Sequence, residues 1–375
     1  MKVLITGANG FVGKNLQLRL AERKDVEVVC YTREHSVDEL PELLNGTDFV
    51  FHLAGINRPQ DSAEFAFGNT GLTLAVCAAV ASIAEATGRK VPVVFTSSTQ
   101  AAQDNPYGAS KRAAEDALFV LQRQYGVPVH VFRLPNVFGK WCKPNYNSAV
   151  ATFCYNIARD LPIKVNNPTT PLTLVHVDDV LHRFTQLMDG ADAAVDANGF
   201  AALAPQYTTT VGEVARLIQA FKDSRRTLLV ERVGTGLIRA LYATYVSYLP
   251  PESFTYTVPM HGDTRGVFVE MLKTPDCGQF SYFTAHPGVT RGGHYHHSKT
   301  EKFLVIKGQA LFKFRHMHTG ETHELTTSGE KAEIVETVPG WTHDITNMGT
   351  EEMTVILWAN EVFDRQYPDT FTCPL

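Results

Sequence analysis

The sequence lacks a basic excess. Its 34 lysines and arginines are outnumbered by 39 aspartates and glutamates, giving a formal net charge of -5 and a pI near 6.3. A nucleic-acid-binding face needs the opposite balance, so nucleic acid is not an expected partner. Its six cysteines, Cys30, Cys77, Cys142, Cys154, Cys277 and Cys373, are scattered with no Cys-x-x-Cys spacing. That excludes a zinc knuckle or thiol redox pair and leaves reduced thiols. Long apolar runs are missing as well. The longest, Leu72 to Ala86, is interrupted by Thr73, Ser82 and Glu85 and falls short of the roughly 18 to 20 apolar residues of a membrane span; a packed helix is expected there, and no membrane partner. Met1-Lys2 runs directly into a strand without the zones of a signal peptide, so a cytoplasmic protein is expected. What remains, 375 residues with 44% hydrophobic and 19% charged content, is globular composition with room for two domains.

What is present begins with a phosphate cradle. Val3-Leu4-Ile5 reads as a short buried strand, and Gly7-Ala8-Asn9-Gly10-Phe11-Val12-Gly13 turns it into a helix that continues through Leu16 and Leu20. Gly7 permits the tight turn, Gly10 lets backbone approach a pyrophosphate, and Gly13 allows the helix to pack closely on the strand. Gly7, Asn9, Gly10, Phe11, Val12 and Gly13 are therefore the predicted dinucleotide site. The second strand, Val26 to Tyr31, ends in Thr32-Arg33. Arg33 can hold a 2′-phosphate in bidentate geometry, which favours NADPH; the alternative makes Arg33 a solvated charge and Glu34 the ribose partner of NAD. Asp48 to Gly55 reads as another parallel strand, and Leu53, Ala54 and Gly55 at its end offer backbone for a cofactor to lie against. His52 within it reads as structural. Asn69-Thr70-Gly71 opens the next helix, and Val91 to Phe95 is the next strand. Strands alternating with helices predict a doubly wound parallel sheet.

The chemistry of this part converges on Thr96 to Lys111. Tyr107 and Lys111 are four residues apart at the start of a predicted helix whose buried face is marked by Ala113, Ala114, Ala117, Leu118 and Leu121, so they share one side. A phenol has a reference pKa of about 10, and a neighbouring ammonium lowers it. Ser98, at the end of the preceding strand, is the expected hydrogen-bond donor. Behind a dinucleotide signature, this arrangement resembles the extended short-chain dehydrogenase/reductase family. The resemblance implies Ser98, Tyr107 and Lys111 as catalytic residues, with Tyr107 and Lys111 also touching cofactor.

The resemblance continues through Arg133 and Leu134-Pro135-Asn136-Val137-Phe138-Gly139, similar to the family's Arg-x-x-Asn-Val-Tyr-Gly segment. The region after it meets substrate in nucleotide-sugar members, implying Asn136, Asn145 and Asn147 as substrate-binding residues beside Lys140, Lys143 and Tyr146. Leu174 to Val180 resembles the family's helix-leading Tyr-Val-x-Asp-Val segment, with Asp178 or Asp179 as the expected N-cap. Two departures bear on the reaction. Ser98 and Tyr107 are only nine residues apart, where many members have a much longer loop. The Asp-Glu pair that follows the hydroxyl residue in sugar 4,6-dehydratases is replaced by Thr99-Gln100. Carbonyl reduction is thus expected rather than elimination of water.

A second pattern starts after Tyr248-Leu249-Pro250-Pro251-Glu252, read as a linker between a domain at 1–247 and one at 253–375. Beyond it lie nine of the fourteen histidines. Short alternating strands with turns at Pro287-Gly288, Lys307-Gly308 and Ser328-Gly329 predict an antiparallel barrel or jelly roll. Gly288, His294-Tyr295-His296, Glu301 and Gly308 resemble the first cupin motif at every spaced position, and Gly340-Trp341-Thr342-His343 to Asn347 resembles the second in part. Two histidines at i and i+2 share a strand face, and an acid on the next strand can join them around a divalent metal. The expected ligands are His294, His296, Glu301 and His343, with zinc the expected ion. His297 complicates the set: adjacent to His296, it points to the opposite face unless a bulge intervenes. Asp263 to Glu270, with Arg265-Gly266, also resembles a segment of cupin-type sugar epimerases.

A Rossmann domain of the extended short-chain dehydrogenase/reductase type followed by an all-β cupin jelly-roll barrel resembles, over essentially the whole chain, the CapF family of capsular and O-antigen synthesis. That resemblance implies a bifunctional, homodimeric enzyme of the N-acetyl-L-fucosamine pathway. The cupin would invert C3 of a UDP-linked 2-acetamido-2,6-dideoxy-4-hexulose, with His297 or Lys302 as candidate base. The first domain would then reduce C4 to give UDP-2-acetamido-2,6-dideoxy-L-talose. The alternatives are a single-activity reductase whose cupin binds sugar or dimerises, a 4-epimerase recycling bound NAD, and a nicotinamide-sensing regulator.

Overall fold

The computed structural model describes the whole chain except residues 58–60, 62, 264–265, 270, 273, 275–277, 362–363 and 365. Arg265 and Cys277 therefore lie outside the described residues. The chain forms two compact units, Met1–Val137 with Thr173–Tyr207, and Phe138–Leu172 with Thr208–Leu375.

In the first unit, β1 (Lys2–Thr6), β2 (Glu27–Tyr31), β3 (Phe49–His52), β4 (Val93–Ser98) and β5 (Val129–Leu134) form one sheet in the order β2-β1-β3-β4-β5. All four pairings are parallel. The apolar strand sequences follow from burial on both faces. Leu4, Val50, Val93 and Phe95 enter one core cluster with Val76, Val80 and Leu118. Their neighbours Val3, Ile5, Phe49, Phe51 and Val94 enter the other with Leu16, Leu20 and Phe184, as the two-residue period of a strand requires. The chain leaves β1 for β2 on one side and crosses to β3 on the other. In open α/β sheets such a switch point opens a crevice at the carboxyl ends of the two strands. Here the residues after β1 and β3 are Gly7 and Leu53-Ala54-Gly55.

Phe67–Thr87 is long and apolar enough to cross a membrane by length and composition. Val76, Cys77, Val80, Ala81 and Ala84 nonetheless bury one face of it in the first core cluster, the role expected from the sequence. Asp178 and Asp179 do not cap their helix. Val177–Met188 takes His176 as N-cap without a side-chain hydrogen bond, and the two acids occupy its first turn, where the helix dipole favours negative charge.

The second unit packs helices Ala149–Ala158, Val211–Thr227 and Gly236–Val246 with two five-stranded sheets. One sheet runs Gln279–Ala285, Met353–Ala359, Glu301–Lys307, Glu333–Glu336 and Thr255–Thr257; the other runs Thr322–Ser328, Gln309–His316, Trp341–Asn347, Thr290–Tyr295 and Phe371–Thr372. Their pairings are antiparallel. The stretch read as a linker is packed: Tyr248 and Leu249 are buried, and the Tyr248 hydroxyl donates to the Cys142 carbonyl. Apolar side chains hold it in place, so it lies inside the second unit.

Candidate active site and metal centre

The turn after β1 is built for close approach. Gly7 has φ +69°, and a Cβ there would lie 2.7 Å from the Ala54 Cα; one on Gly13 would lie 2.3 Å from the Gly7 carbonyl oxygen. No side chain caps the helix Phe11–Ala21 that starts behind Gly10, which leaves the first-turn N–H groups near Phe11 and Val12 for an anion. Asn9 and Gly10 are exposed at its mouth. The Gly7 N–H donates to the Tyr31 carbonyl at 3.2 Å, which fixes the end of β2 beside the turn. Arg33 stands exposed two residues further on. These features fit a dinucleotide, with the cradle formed by backbone and the arginine beyond it.

His52 is structural. Its Nδ1 lies 2.7 Å from Thr6 Oγ1 and its Nε2 2.8 Å from Thr73 Oγ1, and burial, aided by Lys111, lowers its pKa to about 3. Asn69, only noted as a helix opener, ties the site together: its Oδ1 accepts from the Ile56 N–H at 2.7 Å and its Nδ2 donates to Ser110 Oγ at 3.0 Å.

Ser98 ends β4, and the helix Pro106–Tyr125 follows after a short 3-10 turn. Asn105 caps that helix through the Gly108 N–H at 2.8 Å, with Pro106 in its first turn, so capping sets where Tyr107 and Lys111 begin. Burial raises the Tyr107 pKa, and a hydrogen bond with Ser98 acts against it. The depression expected from Lys111 is not what dominates. The Lys111 ammonium is directed to the Thr96 carbonyl at 3.0 Å, and burial lowers its pKa to about 8 against the opposing charge of Glu115. Gly55 makes room for it, since a Cβ there would sit 3.1 Å from Lys111 Nζ.

Sequence reasoning missed the residues behind this pair. Glu115, one turn after Lys111, is buried. It receives Ser97 Oγ at 2.5 Å and the Arg133 guanidinium at 2.9 and 2.6 Å. The four-residue step from Lys111 was the available signal. Among the expected substrate residues, Asn136 is exposed in the first unit and donates to the Thr173 carbonyl at 3.2 Å. Asn145 and Asn147 are exposed in the second unit, Asn145 with φ +52°.

In the second unit His294, His296, Glu301 and His343 bring one ligand atom each to within 4.8 Å of one another. A bulge produces this. Gly292 pairs with Asp344, yet His294 pairs with His343, so the strand Thr290–Tyr295 carries one extra residue at Gly293. Directly paired residues in antiparallel strands project to the same face, and without the bulge His294 would oppose Thr342. Gly292 and Gly293 have φ +100° and +71°, which glycine adopts at little cost.

A divalent cation fits this set on two observations. His296 Nδ1 lies 2.6 Å from the Asp369 carbonyl oxygen, and its Nε2 lies 3.0 Å from Glu301 Oε2. A neutral ring would set a lone pair against a carboxylate unless a cation stood between them. His343 Nε2 is buried with no hydrogen-bond partner among the described residues, 3.6 Å from Glu301 Oε2. Burial, reinforced by His343 and His296, lowers His294 to about 3, and burial also lowers His343. Burial opposes ionisation of Glu301, but His296 and His343 outweigh it and hold its carboxyl well below the usual range. Neutral imidazoles with one carboxylate are the donor set of zinc and similar ions.

His296, not its neighbour, joins the cluster. The His297 ring faces elsewhere, with Nδ1 3.2 Å from the buried Lys140 Nζ and its ring against Phe371. Lys302, the other candidate base, is engaged elsewhere. Its ammonium is buried in an ion pair with Glu336 and donates to the Tyr256 hydroxyl at 3.1 Å. Burial disfavours that charge, but Glu336 overcomes it and raises the pKa.

The NAD dependent epimerase/dehydratase family matches residues 3–199, and the polysaccharide biosynthesis C-terminal domain matches residues 261–371. The chain is 63% identical over 374 residues to a UDP-2-acetamido-2,6-beta-L-arabino-hexul-4-ose reductase of Pseudomonas aeruginosa, covering 100% of this chain and 98% of the relative. The crystal structure of the capsular polysaccharide assembling protein CapF from Staphylococcus aureus is similar over 100% of both chains, at 39% identity and a TM-score of 0.65. A UDP-glucuronic acid 4-epimerase of Bacillus cereus shares the fold over 60% of this chain and 84% of its own, at 17% identity and a TM-score of 0.50.

Proposed function

Because this chain belongs to the NAD dependent epimerase/dehydratase family, in its CapF-type group with a polysaccharide biosynthesis C-terminal domain, we propose that it is a bifunctional enzyme of nucleotide-sugar chemistry. The substrate is a UDP-linked 2-acetamido-2,6-dideoxy-4-hexulose. The cupin, residues 253–375, inverts C3, and the domain at 1–247 reduces C4 with NADPH. The product, UDP-2-acetamido-2,6-dideoxy-L-talose, leads to N-acetyl-L-fucosamine for capsular or O-antigen polysaccharide. A cytoplasmic homodimer belongs to the same reading.

One observation carries the two-step assignment: the chain holds two separately built sites, Ser98 with Tyr107 and Lys111 in one unit and the His294, His296, Glu301, His343 cluster in the other. The 63% identical relative is named as a 4-keto-sugar reductase, which supports the first. NADPH, when bound, supplies the hydride, and Arg33 favours its 2′-phosphate. Tyr107, kept protonated by burial, donates its phenolic proton to the C4 oxygen while Ser98 orients that oxygen. Lys111 stabilises the resulting phenolate. In the cupin, zinc held by His294, His296, Glu301 and His343 would supply Lewis-acid polarisation of a carbonyl oxygen. The C3 proton is acidic only while C4 is a carbonyl, so epimerisation precedes reduction.

The test uses purified protein and the UDP-4-keto sugar in deuterated water. Without NADPH, deuterium is expected at C3; with NADPH, NMR is expected to show the L-talo product. Reduction without C3 exchange would leave a single-activity reductase, and turnover without net NADPH consumption would leave a 4-epimerase.

A further inference from the structure

The last residues of the chain lie against the metal centre. Phe371–Thr372 pairs antiparallel with the strand Thr290–Tyr295, setting Thr372 opposite His294 and Phe371 opposite Tyr295. Asp369, two residues before that pairing, grips the turn joining two of the four clustered residues. Its Oδ1 accepts the His297 N–H at 2.9 Å; its Oδ2 accepts the N–H groups of Ser298 at 2.9 Å and Lys299 at 2.8 Å and the Ser298 hydroxyl at 3.1 Å. Successive N–H groups converging on one carboxylate form an anion nest. The Arg239 guanidinium stands 4.0 Å from the same carboxylate.

The backbone carbonyl of Asp369 faces the other way. Its oxygen lies 2.6 Å from His296 Nδ1. A carbonyl only accepts, so Nδ1 carries a proton, and in the neutral ring the Nε2 lone pair then faces Glu301 and the centre of the cluster. Asp369 has φ +33°, a region that aspartate visits more readily than most residues. The carboxylate anchors the residue so that its carbonyl meets the ring.

We propose that Asp369 is a positioning residue for the metal centre: its carboxylate pins the turn between His296 and Glu301, and its carbonyl holds His296 as the Nδ1–H tautomer with Nε2 presented to the ion. This rests on the metal reading above. Nothing in the cupin spacing points to it, because it acts from more than 70 residues away. Outer hydrogen-bond partners of ligating histidines contribute about 10–100-fold to metal affinity.

The test compares full-length wild type, Asp369→Ala and Asp369→Asn. Cobalt(II) affinity is measured by chelator competition, the visible spectrum of the bound ion reports ligand geometry, and the denaturant unfolding midpoint confirms folding. Asp369→Ala is expected to weaken cobalt about 10–100-fold and alter the spectrum while the chain still unfolds in one cooperative transition. Asp369→Asn, which keeps one acceptor oxygen, is expected to recover part of the loss. Affinity and spectrum unchanged in Asp369→Ala would overturn the proposal. Nitrogen-15 NMR of the imidazoles in metal-free protein gives a readout that needs no ion. The Nδ1–H tautomer at His296 in wild type, lost in Asp369→Ala, supports the proposal even if wild type binds no cobalt, in which case the metal reading alone fails. An Nε2–H tautomer at His296 in wild type overturns it.

Discussion

His294 lies directly opposite His343 across an antiparallel pair, and it does so because Gly293 adds one residue to its strand. Among the described residues a Cβ on Gly293 would meet only Pro374 Cα, at 3.6 Å, so a substitution there acts through the backbone at φ +71°. Gly293→Val is expected to cost about 1–3 kcal/mol, read as a lowered unfolding midpoint, and to reduce bound metal per chain. His294→Ala should lose stoichiometric metal with little change in that midpoint, and stop deuterium entry at C3. Exchange that persists after verified metal removal would show that the ion takes no part in it.

Tyr107→Phe removes the phenolic proton and keeps the ring that packs against Phe65, whose centroid is 5.5 Å away. NADPH oxidation should fall by at least about 100-fold, in line with loss of a positioned acid, while NADPH affinity stays within about threefold and C3 exchange continues. If exchange also stops, the proposed division of labour between the two sites is wrong.

Reduction should weaken as pH rises through about 8, where the buried Lys111 loses its ammonium. Glu115 is the charge that acts on it, and the neighbouring His52 is uncharged there. Burial lowers the Lys111 pKa and Glu115 raises it, so Glu115→Gln should move the falling limb to lower pH. A limb displaced upward, or unmoved, in that variant would show that Glu115 acts only by tying Ser97 and Arg133 together.

Cofactor choice is tested at Arg33. Arg33→Ala should raise the KM for NADPH by about tenfold or more, the loss of one charge-assisted pair, and leave that for NADH nearly unchanged. Equal losses for both would return Arg33 to a surface charge and Glu34 to the ribose.

Glu336 is buried between Lys302 and Arg225. Burial would raise its pKa, but Arg225 and Lys302 lower it to about 2. A depressed carboxylate contributes stability that is fully present above its ordinary range and lost as pH falls toward about 2. Lys302→Ala strands a buried carboxylate beside one remaining cation and should cost about 3–5 kcal/mol, measured by denaturant unfolding at pH 7. Metal content should survive, because Lys302 is not among the clustered residues; if C3 exchange alone vanishes at unchanged stability, Lys302 is catalytic after all.

Local spacing in the sequence determined what local geometry controls. Glycines at 7, 10 and 13 fix a turn within one strand-to-helix step. Asn105 and Pro106 start the helix that puts Tyr107 and Lys111 on one side. His294 and His296 stand two apart, the period that puts both on one strand face. The tertiary structure decided what depends on partners far along the chain. Whether His296 or His297 faces the cluster follows from the Gly293 bulge and from the turn gripped by Asp369, 72 residues beyond His297. Lys302, beside Glu301 in sequence, is held by Glu336 on the neighbouring strand. The direction of the Tyr107 pKa comes from burial, which no spacing encodes, and not from the lysine four residues away. Bulges reverse side-chain parity and burial reverses electrostatic expectation, and both are set by the packing of distant segments.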